Sequence, residues 1–171
     1  MASEEQVRRT LNRFITSFNA ALAGPPSDPL DPEVAHIELW ATALVGSNLF
    51  LESWTEGHPI FGRTKVWTSR LIHITADLKW ARTVNRWYSL EKPLSEKIEG
   101  VFPSTQSLEA DILSNPEFVR VPMEVAVRAM RDCPNLMRKL AAGSSCKDLI
   151  PAFEDIEAMW PPEDGLYPSE N

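Results

Sequence analysis

Residues 37–45, IELWATALV, and residues 48–56, NLFLESWTE, are joined by Gly46-Ser47, and this pair of runs decides how the rest of the chain is read. Each run mixes apolar, β-branched and aromatic side chains and is bounded by turn formers, which predicts a strand. A two-residue link opened by glycine predicts that the two strands pair as a tight hairpin. Working outward, Gly57-His58-Pro59 closes the second strand, Phe61-Gly62 makes a further turn, and Lys65–Ile74 alternates in character like a strand. Ala76-Asp77-Leu78-Lys79 then turns the chain into a run from Trp80 to Leu90, and Lys92-Pro93 ends it. Residues 36–90 therefore predict about five short strands, enough for a small antiparallel sheet or barrel.

The flanks read as helical. Val7, Leu11, Phe14, Ile15, Phe18 and Leu22 recur at spacings of three and four, which places them on one stripe of a helix from Ser3 to Ala23. Ser3 with Gln6 forms a capping box at its start, and Gly24-Pro25-Pro26 stops it. Such a stripe needs a cover, from this chain or another, so Phe14, Ile15 and Phe18 are candidate association residues. Beyond Pro93, Leu108–Leu113, Pro122–Arg131, Pro134–Ala142 and Cys146–Trp160 predict helices, the last interrupted at Pro151. Proline in the first turn of a helix occupies a position whose N–H has no helical acceptor. The expected class is α+β, organised as an N-terminal amphipathic helix (1–24), a proline-rich linker (25–35), a β module (36–92), a helical region (93–160) and a flexible tail (161–171).

The 171 residues, 43% hydrophobic and 24% charged, suit one domain of ordinary soluble composition. A chain of this size removes roughly 70% of its unfolded surface from water, so neither a disulfide nor a structural metal is required. Cys133 and Cys146 have no signal peptide upstream, which predicts free thiols in a cytoplasm. The longest uncharged apolar run falls short of the ~18 residues that span a bilayer, and no membrane role is expected. A net charge of −7 disfavours adhesion of the whole surface to DNA or anionic lipid.

The charge is unevenly spread. From Arg63 to Lys92 seven basic residues face two acidic ones, a local +5 that leaves −12 for the remainder. Four of the six tryptophans, Trp54, Trp67, Trp80 and Trp87, lie in or beside the same stretch. Basic side chains around an aromatic ring suit a partner's acidic groups, or the phosphates and bases of a single strand. The candidate binding residues are Arg63, Lys65, Arg70, Lys79, Arg82, Arg86 and Trp87.

No reaction is spelled out. His58 in its turn titrates near neutrality, but no nucleophile or orienting carboxylate can be paired with it. His36, His58 and His73 lack the short spacings of a metal site, and Cys133 and Cys146 lack a Cys-x-x-Cys partner. Thr68 and Ser69 sit outside any nucleophile elbow, and the seven glycines build no phosphate loop. No catalytic residue, metal or cofactor is expected.

The order Gly57-His58-Pro59, Thr68-Ser69-Arg70-Leu71, Trp80-Ala81-Arg82-Thr83 and Arg86-Trp87-Tyr88-Ser89-Leu90 resembles a family of small uncharacterised α-proteobacterial proteins common on plasmids and in mobile regions. The resemblance implies a bacterial, cytoplasmic accessory protein, with no activity, cofactor or substrate attached. Taken together, the expected function is non-enzymatic and regulatory, through binding to a protein partner or a second copy of the chain. The alternative is a nucleic-acid-binding module using residues 63–92, and a third is a hydrolase centred on His58.

Overall fold

A computed structural model describes residues 3–31, 33–46, 48–58, 62–93 and 119–165, with the backbone alone for 54–58 and 62–66. Helix α1 (Glu4–Ala23) starts at the expected capping box. The Gln6 N–H donates to Ser3 Oγ at 3.2 Å and the Ser3 N–H donates to Gln6 Oε1 at 3.0 Å. It stops where Gly24 takes φ 92, a left-handed angle that glycine reaches without a Cβ clash.

The expected hairpin forms between β1 (Ala35–Val45) and β2 (Asn48–His58), with Gly46 at φ 59 in the turn. The strand expected over Lys65–Ile74 divides. β3 (Gly62–Trp67) pairs with β2, and β4 (Leu71–Ile74) joins a different neighbour. Thr68 causes the break: its N–H donates to the Leu51 carbonyl and its hydroxyl accepts the Leu51 N–H, both at 3.1 Å, after which the chain leaves β2. The run Trp80–Leu90 divides as well, into β5 (Trp80–Thr83) and β6 (Trp87–Pro93). Thr83 Oγ1 accepts the N–H groups of Asn85 and Arg86, satisfying the backbone of the tight turn between them. Trp80 and Trp87 consequently lie on neighbouring strands with their rings edge to face, centroids 6.3 Å apart.

The short strand β7 (Val119–Arg120) completes a seven-stranded sheet in the order β3-β2-β1-β6-β5-β4, with β7 pairing β1 beyond the end of β6. The class is α+β as expected. The sheet is open rather than a barrel, and it is mixed: β1 and β6 run parallel, Ala35 beside Tyr88 and Trp40 beside Pro93, while every other pairing is antiparallel. Hydrophobic alternation is the same for both directions, so the parallel seam leaves no mark on local sequence.

Where two helices were expected to meet at Pro134, one helix, α2 (Met123–Ala142), runs through it. A proline inside a helix leaves the carbonyl four residues back without its amide. That carbonyl is Met130's, and the Trp160 indole N–H donates to it at 3.2 Å. A 3₁₀ turn (Lys147–Leu149) leads into α3 (Ile150–Met159), with Pro151 in the first turn. The helix expected at Leu108–Leu113 lies outside the described residues. No described helix is long and apolar enough to cross a membrane.

Two clusters of buried side chains share α2. Ala126, Val127 and Met130 of its first half pack on Ile37, Trp40, Leu49, Leu51, Ile74, Ala81 and Leu90 of the sheet. Cys133, Met137 and Ala141 of its second half pack with Leu11, Phe14 and Phe18 of α1, Ile72 of β4, and Phe153 and Ile156 of α3. The apolar stripe of α1 is therefore covered within the chain, each buried phenylalanine contributing about 1.5–3 kcal/mol. Ile15 is half-buried at its margin. The expected tail begins as a docked segment: the Ala76 N–H donates to the Asp164 carbonyl at 2.6 Å and Gly165 bridges Thr75.

Candidate functional site

α1 lies along the β4 side of the sheet and meets the turn between β5 and β6. Ser17 Oγ donates to the Val84 carbonyl at 2.5 Å, and the Arg13 guanidinium donates to Asn85 Oδ1. Where α1 passes this turn, a groove of about 490 Å³ opens, lined by Arg8, Arg9 and Arg13 from the helix and Arg82, Val84 and Asn85 from the sheet. Among the described residues that line it, Glu5 is the only carboxylate.

The four arginines are not equivalent. Arg8 is locked in a two-pronged pair with Asp148, Nη1 to Oδ2 at 2.7 Å and Nη2 to Oδ1 at 2.9 Å. The Arg8 hydrogen bond holds the Asp148 carboxyl below the usual range, and the pair raises Arg8 in turn. Arg9 pairs with Glu5 one helical turn back, at 3.0 Å. Arg13 is held by the neutral amide of Asn85. Arg82 lies with its guanidinium carbon 6.0 Å from the Trp87 ring centroid, and its Nε is buried without a hydrogen-bond partner. Burial lowers the pKa of Arg82, and among the described residues no carboxylate pairs with it.

Behind Arg82 stands a cross-strand row. His73, Arg82 and Trp87 are direct partners on β4, β5 and β6 and share one face. His73 is fully buried, its ring edge-on to Trp87 at 6.2 Å and to Trp160 at 6.1 Å, with Nε2 3.1 Å from Asp164 Oδ1. Burial holds its imidazole below the ordinary range, with the Asp164 carboxylate pulling the other way.

The expected basic surface is divided by the fold. The side chains of Arg63, Lys65 and His58 lie outside the described residues, and the β3 backbone that carries Arg63 and Lys65 is at the opposite end of the sheet from β5. Arg70 is turned inward, its guanidinium carbon 5.2 Å from the Phe14 ring centroid. Lys79 is exposed at the start of β5 and Arg86 at its far end, beside the groove's turn. Among the described residues, Arg82 is the one expected basic residue that lines the groove, with Trp87 half-buried beneath it. The other three arginines lie off the apolar stripe of α1. Their spacing gives that much; that they land opposite Arg82 depends on how the helix docks.

A hydroxyl, an imidazole and a carboxylate also meet on the outer face of β1 and β6. His36 Nδ1 lies 2.9 Å from Ser89 Oγ, and its Nε2 lies 3.7 Å from Glu91 Oε2, longer than a hydrogen bond. Ser89 is 2% exposed, so a substrate cannot reach its oxygen, and the contact ties the parallel strands together. Among the described residues no three potential ligands gather around a metal position.

No curated protein and no solved structure matches the chain. A model of a family of unknown function, DUF6634, matches residues 4–147, a span that takes in α1, every strand of the sheet and α2, and the chain belongs to that family.

Proposed function

We propose that this chain is a non-enzymatic accessory protein that binds a partner protein, with the arginine groove between α1 and the β5–β6 turn as its recognition surface. One observation carries the reading: among the described residues, four arginines and a single carboxylate line a groove on a chain whose net charge is −7. A concave positive site on a negative molecule focuses its field and selects acidic segments over neutral ones. The lining residues are chiefly guanidinium and amide groups, which suit holding and orienting an acidic group and support binding as the groove's role. The two unpaired, buried cysteines suit a bacterial cytoplasm.

The test is fluorescence anisotropy with a glutamate-rich peptide and its glutamine counterpart at low salt. Binding confined to the glutamate peptide, lost on Arg13→Glu and weakened by added salt, supports the reading. Equal binding of both peptides, or none, overturns it. A second reading, single-stranded nucleic acid at the same corner, draws on Arg82 over the Trp87 ring and Arg86 exposed nearby. Tighter binding of an oligonucleotide than of the acidic peptide would favour it.

A further inference from the structure

Within the groove, we infer that Arg13 and Arg82 form the receptor for a phosphoryl monoester on the ligand. This rests on the reading of the groove as the working surface and names the group it selects. The carboxylates Asp148 and Glu5 neutralise Arg8 and Arg9, which then shape the groove's rim. Arg13 and Arg82 are positioned instead by neutral groups, the Asn85 amide and the Trp87 ring. Each is thus oriented while its charge remains uncompensated among the described residues, and Arg82 has in addition surrendered water at Nε without gaining an acceptor there.

Two uncompensated guanidiniums set the charge and the shape of what fits. A carboxylate brings one negative charge and two oxygens, which one arginine fork already satisfies. A phosphate monoester brings about −1.5 to −2 at neutral pH and three acceptor oxygens, enough for both forks at once. A phosphodiester carries only one charge and has fewer free oxygens, so the backbone of a nucleic acid fits less well than a terminal phosphoryl group. The groove's volume of about 490 Å³ leaves room for the group that carries it.

The experiment titrates the full chain by calorimetry with four probes: a phosphoserine peptide, the same peptide with glutamate at that position, phenyl phosphate, and a single-stranded oligonucleotide without terminal phosphates. The phosphoserine peptide is expected to bind about tenfold or more tighter than the glutamate peptide, with each of Arg13→Gln and Arg82→Lys weakening it about tenfold. Phenyl phosphate binding as tightly as the phosphopeptide supports the site with a free phosphoester as the source; the phosphopeptide binding tighter supports it with a modified protein as the source. Arg13 is exposed on α1, so Arg13→Gln reports on the site even if the Arg82 variant fails to fold. Equal affinity for the two peptides removes the phosphoryl selectivity while leaving the acidic-partner reading standing. Binding of none of the probes overturns both. Tightest binding of the oligonucleotide overturns the inference in favour of nucleic acid.

Discussion

The indole of Trp160 supplies the hydrogen bond that Pro134 withholds from the Met130 carbonyl. The same ring packs edge to face on Phe18 at 5.0 Å and on His73 at 6.1 Å, so one side chain after α3 joins α2, α1 and β4. Trp160→Phe should cost about 1–3 kcal/mol by leaving that carbonyl unpaired. Pro134→Ala restores the amide donor, so it should recover part of the loss in the Trp160→Phe background and little in the parent. Urea denaturation of the four proteins measures the coupling, and strictly additive effects would show that the indole contact does not substitute for the amide.

Glu52 of β2 and Arg120 of β7 form a two-pronged ion pair at 2.7 and 3.1 Å, with the Glu52 side chain fully buried. Removing one partner takes the two-pronged contact from a charge held in a medium that solvates it poorly. Arg120→Ala is expected to destabilise by about 3–5 kcal/mol, and Glu52→Gln in that background to recover a large share of it. Equal denaturation midpoints for the parent and Arg120→Ala would contradict this account of the pair.

Because burial lowers the His73 pKa from 6.5, the unfolded chain binds a proton that the native chain refuses. Stability owed to this group is constant above about pH 6.5 and falls as the pH drops below it, toward the lower folded pKa. The slope approaches about 1.4 kcal/mol per pH unit while the group is charged only in the unfolded state. Urea midpoints between pH 7.5 and 5.5 should therefore fall more steeply for the parent than for His73→Asn. Parallel curves would mean that His73 does not contribute.

Cys133 and Cys146 are buried, and burial pushes the Cys133 thiol up to about 11 against a weaker pull from Arg70. Thiolate is the reactive form, so iodoacetamide should modify neither residue in the native protein at neutral pH and both in denaturant. Rapid native labelling at either position, read by mass spectrometry, would indicate that the second cluster opens readily.

Local signals made much of this fold legible. The Ser3–Gln6 capping box, the Leu11-Phe14-Phe18 stripe and the Gly46 turn each depend on residues within a few positions of one another, and each stands where the sequence places it. What escaped depends on distant partners. Pro134 reads as a helix start unless the Trp160 indole is known to face Met130. Thr68 and Thr83 read as strand residues, because a hydroxyl that caps a backbone group looks the same in sequence as one facing solvent. The candidate site was half legible: Arg82 and Trp87 stood out by type, whereas Arg8, Arg9 and Arg13 acquire their meaning only when α1 docks against the β5–β6 turn.

The parallel seam between β1 and β6 also sets an order of assembly. The β1–β2–β3 and β4–β5–β6 meanders are each built from contacts between neighbours in sequence, and hairpins of this kind form in about 1–10 μs. The seam joins residues more than fifty positions apart, Ala35 with Tyr88 among them, and must close that loop before its contacts reward the loss of chain freedom. The slow step in refolding is therefore expected to be the closing of this seam between the two meanders. Substitutions that weaken Ile37 against Leu90 should retard refolding, whereas those within a single meander should chiefly hasten unfolding.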